Sequence, residues 1–373
     1  MFLAIREIRR AKVRFALLIA AIALLVFLIL FQQSLQGGLV TSFVGAIRNQ
    51  SAPVLVYSVD GQRVIQASVT SPDAEAQIRG VDGVAEAGRF SQSTFSVMAD
   101  GTIVQASVIG YDVADLGAPT ALTQGRQANG VGEAVASDAD ADIGFGIGDV
   151  ITILPGNYPI TIVGLAADAQ LSAAPALFAA YDTYLDAVRS RNPDAGDPLP
   201  NVIALRPADG VAAQELADRV NAVSDQFDAL TRSTAAAETP GVSQVQTSFT
   251  LIFLLYGLVV PCVTGLFFLI ATFQKAGALT LLRAIGAPAR RLVSGLVLQA
   301  LMILIAGLSI GTLLYFPVSQ QRLGSIPLQF ETRAVITWWI VLLVLGIASS
   351  LVAAQRVLKI DPIQATTGAG VQK

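Results

Sequence analysis

The sequence predicts a membrane α-helical protein with four transmembrane helices and a large extracytoplasmic α+β domain inserted between helices 1 and 2. Of the 373 residues, 53% are hydrophobic and only 14% are charged, and the mean hydropathy is +0.62. Soluble proteins carry about 25% charged residues, so the lipid bilayer is the expected environment. Four apolar runs are long enough to cross a hydrocarbon core of about 30 Å. They cover residues 15–31, 249–273, 292–316 and 334–354.

The first run is predicted to remain in the protein as a membrane anchor. A basic stretch precedes this run, as in a secretory signal peptide. The apolar core of the run is, however, longer than the roughly 7 to 15 residues usual in signal peptides. The polar segment that follows, QQSLQ at 32–36, lacks a cleavage site of small residues.

Charge predicts the orientation of the chain. The N-terminal amphipathic helix (1–14), the segment 274–291 and the tail (355–373) hold 12 of the 24 Lys and Arg residues and only two acids, Glu7 and Asp361. The positive-inside rule places these three segments and both termini in the cytoplasm of a bacterial cell. The segments 32–248 and 317–333, the second a short loop, are then outside.

The long exterior segment, 32–248, is predicted to be a mixed α and β domain with stalks. Strands are expected at 52–59, 102–111, 149–154 and 158–165, where β-branched residues alternate with others between Gly and Pro. Residues 149–165 form a candidate hairpin. Helical spacing predicts a helix at 210–223. Residues 32–50 extend the first run as a stalk, and 231–248 are either a flexible linker or a second stalk.

Several classes of site are excluded by residue content. The chain has no histidine, which excludes His-based catalytic triads, HExxH zinc sites and His-ligated haem, and it has no phosphate-binding P-loop motif. No catalytic residue and no metal site are predicted. Cys262 is alone and is interpreted as a packing residue. Asp138, Asp140 and Asp142 lack the glycine and distal glutamate of a calcium loop, so we expect a solvated acidic turn.

The cytoplasmic segment 274–291, here called the coupling segment, carries an unusual pattern. Four apolar positions, Ala278, Leu281, Leu282 and Ile285, follow i, i+3, i+4, i+7, so a short amphipathic helix is expected. Lys275, Thr280 and Arg283 lie off that stripe. Gly286 is placed to end the helix. An ordinary positively charged loop is the alternative, but such a loop has no need of an apolar stripe.

Three membrane segments resemble the FtsX/MacB-like ABC transporter permeases. The stretch FQKAGALTLLRAIGAPARRLVSGLVLQAL (273–301) is similar to the family signature that follows the second span. The basic start at 3–24 and the closing AAQRVLKIDPIQA (353–365) are similar to the two ends of the family. Segments 79–90 and 132–153 resemble its periplasmic core more loosely. The resemblance therefore covers nearly the whole chain.

The resemblance implies a partner and an assembly. Such permeases form a homodimer driven by two copies of a separate ABC ATPase, which uses the ATP, and they are not enzymes alone. The ATPase docks on the helix between spans 2 and 3, which corresponds here to Ala278 to Gly286, with Lys275 and Arg283 at the polar rim. Met1 to Lys12 would brace this interface. No covalently bound cofactor and no nucleic acid are implied.

Other residues in the spans have a structural interpretation. Gly307-x-x-x-Gly311 and Gly346-x-x-x-Ser350 allow close approach of helices, either across a dimer or within one subunit. Pro261 is a candidate hinge. Four aromatic residues near the outer ends of spans 3 and 4 are interpreted as membrane-interface anchors. They are Tyr315, Phe316, Trp338 and Trp339.

The cargo is predicted from a narrower resemblance. The N-terminal nineteen residues and the overall size are similar to the HrtB-like haem-exporter permeases and the DevC-like exporters, which implies haem as the cargo. The candidate cargo groove comprises Gln32, Gln33, Gln36 and Tyr256. The alternative is that the glutamines mark the headgroup boundary and that Tyr256 is an ordinary membrane tyrosine. Without histidine, an iron ligand would be Tyr, Met, Glu or Cys, or the iron would have no protein ligand. Two alternatives remain: export of another hydrophobic cargo (a lipid, lipopeptide or peptide), and FtsX-like mechanotransmission that regulates a cell-wall hydrolase.

Overall fold

The computed structural model describes residues 12–273, 288–323 and 326–358. These residues form two compact units. The first, here called the helical unit, contains the described residues up to Gln36, from Ser248 to Gln321 and from Leu328 onward. The second, the α/β unit, contains Gly37–Thr247 and the described residues of Arg322–Pro327. The middle part of the loop between the third and fourth spans thus belongs to the α/β unit.

Among the described residues, four long helices carry the apolar runs. They are α1 (Lys12–Asn49), α6 (Val242–Phe273), α7 (Ala289–Val318) and α8 (Thr332–Leu358). Each contains a stretch long and apolar enough to cross a membrane. The intervening α/β unit lies between the first and second of them in the sequence, so the predicted fold class is confirmed.

Glycine contacts bring the membrane helices together within one chain. A Cβ on Gly307 would lie 2.5 Å from the Ile22 side chain, and one on Gly311 would lie 2.7 Å from Val26 Cβ, so α7 packs on α1 at its glycines. Gly346 of α8 meets Leu304 of α7 in the same way. Of the two interpretations of these glycines, contact within one subunit is therefore the one observed.

Pro261 and Gly265 mark the contact between α6 and α8. The Ser349 hydroxyl of α8 donates a 2.6 Å hydrogen bond to the Pro261 carbonyl. A Cβ on Gly265 would lie 2.9 Å from the same hydroxyl. The hydroxyl thus satisfies a backbone acceptor inside an apolar bundle, where an unpaired one is costly. Cys262 next to it is exposed rather than packed within the subunit, contrary to its interpretation as a packing residue.

The α/β unit is built on ten paired strands. They are β1 (Val54–Ser58), β2 (Val84–Ala99), β3 (Thr102–Tyr111), β4 (Leu122–Gly125), β5 (Glu133–Ser137), β6 (Val150–Leu154), β7 (Tyr158–Ala166), β8 (Ala176–Ala180), β9 (Val202–Pro207) and β10 (Phe227–Thr231). Their order is β10-β1-β9-β2-β3-β8-β5-β7-β4, and β6 pairs with both β2 and β7. Strands β2, β3, β8, β5, β7 and β6 consequently form a closed ring. A further pair, β11 (Arg322–Leu323) and β12 (Ile326–Pro327), belongs to the loop between α7 and α8.

Three clusters of buried side chains follow from this topology. The ring encloses a core that includes Phe95, Phe145, Ile151 and Ile162, and helix α3 (Tyr181–Arg191) packs on it through Tyr184. At the other end of the sheet, helices α2 (Pro72–Arg79) and α4 (Ala213–Asn221) cover β1, β9 and β10. A third cluster lies on the opposite face of these strands and contains Val44 and Ile47 of α1.

The predicted hairpin and helix of this unit are present. Strands β6 and β7 pair antiparallel with Ile153 opposite Tyr158. Ile151 and Ile153 are buried while Val150 is exposed, which is the period-2 alternation of a strand with one covered face. Helix α4 buries Leu216, Ala217 and Val220 along one side. Residues 231–248 are mostly helical, with a short helix α5 (Arg232–Glu238) before α6 begins.

Candidate functional site

Gln33 and Tyr256, two of the four candidate groove residues, lie in one cluster of the helical unit. Trp338 Nε1 donates a long hydrogen bond of 3.4 Å to Gln33 Oε1. The Trp338 ring packs on Phe253, with centroids 5.4 Å apart, and Phe253 packs on Tyr256 at 6.4 Å. The cluster therefore joins α1, α6 and α8.

Helical spacing explains why these rings form a row. Phe249, Phe253 and Tyr256 follow i, i+4, i+7 on α6, so they share one face of that helix. We call these three residues and Trp338 the aromatic row. Phe249 is buried, whereas Phe253, Tyr256 and Trp338 are partly exposed. Such a row offers aromatic faces for stacking and, through the Gln33 amide, a hydrogen-bonding group beside them.

The other two predicted groove residues are less clearly placed. Gln32 and Gln36 are half-buried on α1 near Gln33. Among the residues that the structure describes, no hydrogen bond joins either of them to the aromatic row. The structure thus brings Gln33 and Tyr256 into one cluster and adds Phe253 and Trp338 to it. The hydrogen bond of Trp338 to Gln33 joins residues far apart in the sequence, so no local sequence pattern predicts it.

A second set of contacts fixes the ends of α7 and α8. Tyr315 Oη donates to the Gln329 carbonyl at 2.9 Å. The Ser34 hydroxyl of α1 donates to the same carbonyl and accepts from the Gln329 backbone N–H, both at 3.1 Å. Phe330 lies between the rings of Tyr315 and Phe316, with centroids 5.6 and 5.5 Å away. Tyr315 is only 2% exposed, so its predicted role as an interface anchor is replaced by packing inside the chain.

The α/β unit contains a buried polar network that the sequence did not suggest. Arg322 Nη2 donates to Asp140 Oδ1 at 2.9 Å, and Gln170 Nε2 donates to the same oxygen at 2.7 Å. Ser42 donates to Gln170 Oε1 at 2.9 Å. We call Ser42, Gln170, Asp140 and Arg322 the Asp140 network. It connects helix α1, two segments of the sheet domain and the loop between α7 and α8.

The expectation of a solvated acidic turn is therefore wrong for Asp140. Its side chain is 1% exposed, whereas Asp138 is half-buried and Asp142 is exposed. The short 3₁₀ helix at Asp138–Ile143 has three residues per turn. Acids two positions apart therefore point in different directions. Among the described residues, no group of three or more His, Cys, Asp or Glu side chains is arranged to hold a metal ion.

The network is incompletely satisfied. Asp140 Oδ2 and Arg322 Nε are buried, and neither has a hydrogen-bond partner among the described residues. Burial raises the pKa of the Asp140 carboxyl above its ordinary value, while the hydrogen bonds from Arg322 and Gln170 partly oppose that rise. A buried charge of this kind is stable only while its partner is in place, which makes Arg322 essential to the arrangement.

The predicted ATPase-docking residues lie outside the described part of the chain. These residues are Lys275, Ala278, Leu281, Leu282, Arg283, Ile285 and Gly286. Most of the N-terminal segment and all of the tail beyond Leu358 are likewise outside it. Helix α7 begins at Ala289, directly after Pro288, which is the N-cap residue of the helix.

Comparison with known proteins identifies two sequence relatives. Both are called "Putative hemin transport system permease protein HrtB" and come from two strains of Staphylococcus epidermidis. They are 28% and 27% identical over 123 residues, or 33% of this chain. The match spans only about a third of the length of these relatives (35%). No family model matches the chain.

Two solved structures are distantly similar. The periplasmic region of MacB from Actinobacillus actinomycetemcomitans matches with a TM-score of 0.35 and 16% identity, over 50% of this chain and 92% of that one. The extracellular domain of the noncanonic ABC-type transporter YknZ from Gram-positive bacteria matches with a TM-score of 0.33 and 12% identity. That match covers 48% of this chain and 98% of the YknZ domain. These structural likenesses are too distant to carry a functional conclusion. The sequence relatives support the resemblance to an FtsX/MacB-like ABC permease.

Proposed function

We propose that the chain is the permease subunit of an ATP-driven ABC exporter and that a separate ATPase supplies the energy. The observation that carries the proposal is the 123-residue similarity to transport-system permease proteins. The four membrane-length helices, with an α/β unit between the first two in sequence, agree with that role. The subunit has no catalytic work of its own in this scheme.

The proposed assembly contains two copies of this chain and two ATPase subunits. The ATPase binds Ala278 to Gly286 on the cytoplasmic side, where the apolar stripe enters a groove of the partner. Both termini are cytoplasmic and the α/β unit is outside. Closure of the ATPase on ATP then tilts the spans, and that movement releases cargo.

The proposed cargo is haem, drawn from the membrane. A porphyrin is flat and conjugated and therefore stacks on aromatic rings, which Phe253, Tyr256 and Trp338 supply. Gln33 stands beside them and can hydrogen-bond a carboxylate of the porphyrin edge. In a chain without histidine, we propose the Tyr256 hydroxyl as the oxygen ligand that this cluster offers to the iron.

The test uses the permease purified with its ATPase in nanodiscs. Haemin titration should shift the Soret band and stimulate ATP hydrolysis. Tyr256→Phe should change the position of the shifted band, and Trp338→Ala should weaken haemin binding. Leu254→Ala is the matched control, because Leu254 is on the same helix but 70% exposed. Absence of a Soret shift and of stimulation in the unmodified complex would contradict haem as the cargo.

A second candidate function is mechanotransmission to a cell-wall hydrolase, and the Asp140 network favours it. The network fixes the loop between α7 and α8 to the α/β unit through Arg322, so displacement of that loop would reach the domain directly. In that case ATP turnover would be insensitive to haemin and lipids alike, and cells lacking the permease would show a cell-separation defect. Export of another hydrophobic cargo would instead give stimulation by that cargo alone.

A further inference from the structure

A pocket of about 350 Å³ lies in the α/β unit between the end of helix α1 and the helices α5 and α6. Its size is near the lower end of ligand pockets, which are about 300–1,000 Å³. It is lined by Val40, Val44, Arg48, Arg232, Ser233, Ala236, Ala237 and Gln246. Of these described lining residues, two are basic and none is acidic.

Among the described residues, neither Arg48 nor Arg232 forms an ion pair with a carboxylate, although most arginines of the α/β unit do. Arg48 is exposed. Arg232 is half-buried, and one of its nitrogens, Nη1, donates to the Gln50 carbonyl at 2.7 Å. That bond holds the guanidinium near the end of α1, two residues beyond Arg48, and leaves its other donors available.

The lining changes from charged to apolar along both helices. Val40, Val44 and Arg48 follow i, i+4, i+8 on α1, so they share one face. Arg232 and Ala236 follow i, i+4 on α5. Because Arg232 reaches Gln50, both arginines stand at one end, and the valines and alanines continue away from them. The pocket thus has a cationic end and an apolar end.

From this polarity we infer that the pocket binds an anionic amphiphile, with its phosphate or carboxylate between Arg48 and Arg232 and its apolar body along Val40, Val44 and Ala236. Two guanidinium groups provide the charge-assisted hydrogen bonds that such oxyanions require. The apolar end excludes a free inorganic ion from most of the pocket. The pocket shares no lining residue with the aromatic row. The inference does not depend on transport or on the ATPase.

Binding is tested on the purified permease in dodecyl maltoside by isothermal titration calorimetry. The probes are hexyl phosphate and hexanoate, with inorganic phosphate and hexanol as controls that each lack one half of the ligand. Hexyl phosphate should bind at least about tenfold more tightly than inorganic phosphate, since several methylenes become buried. Equal affinity of the two phosphates would overturn the inference.

Variants locate the site. Arg48→Gln should weaken hexyl phosphate binding about tenfold, because one charged hydrogen-bonding partner is lost, and Arg48→Lys should restore part of it. Arg48 makes no described hydrogen bond, so this substitution leaves the fold intact. Arg206→Gln, at a half-exposed arginine outside the pocket that pairs with Glu86, is the control and should leave hexyl phosphate binding unchanged. Unchanged binding by Arg48→Gln would also overturn the inference.

Displacement then identifies the natural source of the head group. Displacement of hexyl phosphate by dihexanoyl phosphatidylglycerol assigns the site to a membrane phospholipid. Displacement by haemin, through its carboxylates, assigns it to a carboxylate cargo. If neither displaces the probe, no membrane-derived amphiphile uses the pocket and the inference is wrong. Because ATP hydrolysis is not measured, failure here is distinguishable from failure of the proposed export function.

Discussion

Arg322 and Asp140 are 182 positions apart in the sequence and form an ion pair of 2.9 Å in which the carboxylate is 1% exposed. Removing the cation alone would leave a buried, uncompensated charge. We expect Arg322→Ala to lower the free energy of unfolding by about 3 kcal/mol. Urea titration of the purified permease, followed by circular dichroism, measures this loss.

Because the pKa of Asp140 is raised, the stability lost in Arg322→Ala should depend on pH. A carboxyl whose folded pKa is above its unfolded value binds protons more tightly when folded, so stability falls as pH rises through the folded pKa. Without Arg322 the pKa of Asp140 rises further, so stability falls more steeply with pH. The loss in free energy of unfolding should therefore be larger at pH 8 than at pH 5. Adding Asp140→Asn should recover part of it. A loss that is the same at both pH values would contradict a charge-based cause.

Gly311 tests the packing of α7 on α1. A Cβ there would lie 2.7 Å from Val26 Cβ, so Gly311→Val must displace backbone or side chains, at a cost of about 1–3 kcal/mol. Gly295→Val on the same helix is the matched control, since a Cβ at Gly295 meets nothing within 4 Å. The midpoint of thermal unfolding in one detergent compares them. Equal shifts for the two variants would argue against the observed α1–α7 contact.

Glu133 predicts a pH effect of the opposite sign. Its carboxylate accepts hydrogen bonds from Arg126 and from the backbone N–H groups of Asn129 and Gly130. The Arg126 bond is the main reason that the pKa of Glu133 falls from its ordinary 4.5 to about 2. Stability from a lowered carboxyl pKa is present above the unfolded pKa and is lost as pH falls through the folded one.

Glu133→Gln should therefore lower the unfolding midpoint at pH 7, and the difference from the unmodified protein should shrink as pH falls from 4.5 toward 2. Thermal unfolding at a series of pH values measures the difference. Because Glu133 is near the surface, the effect at pH 7 should be small and should weaken in high salt. A difference that does not change over this pH range would count against the carboxylate as its origin.

Docking of the ATPase is tested in the coupling segment. Leu282→Asp with Ile285→Asp places charges on the apolar stripe, so the ATPase should no longer co-purify with the permease. Thr280→Asp is the matched control, because Thr280 lies off the stripe and should leave the complex intact. Unchanged co-purification of the double variant would remove the stripe from the interface.

Local patterns in the sequence were enough to predict the membrane helices and much of the domain. The apolar runs, the hairpin of β6 and β7 and helix α4 each follow from a period or a composition within about 20 residues. Charge and motif resemblance likewise predicted a permease, and two partial sequence relatives support it.

Contacts between distant residues could not be predicted in this way. Asp140 has the local sequence of a solvated turn, and only the return of the chain at Arg322, after two further spans, makes it a buried ion-pair partner. Trp338 joins the cluster of Gln33 and Tyr256 for the same reason. Local periodicity specifies which face of an element is buried, but not which distant residue covers it.

The pairing of β1 with β10 also has a consequence for biosynthesis. Val54 lies opposite Thr231, so the first strand of the ten-stranded sheet is hydrogen-bonded to the last strand of that sheet in the sequence. A chain synthesised from its N-terminus exposes β1 well before β10 exists. The sheet is thus completed only when the polypeptide has been made almost to the start of α6, and a nascent chain that stalls earlier carries an unpaired strand edge open to aggregation or chaperone binding.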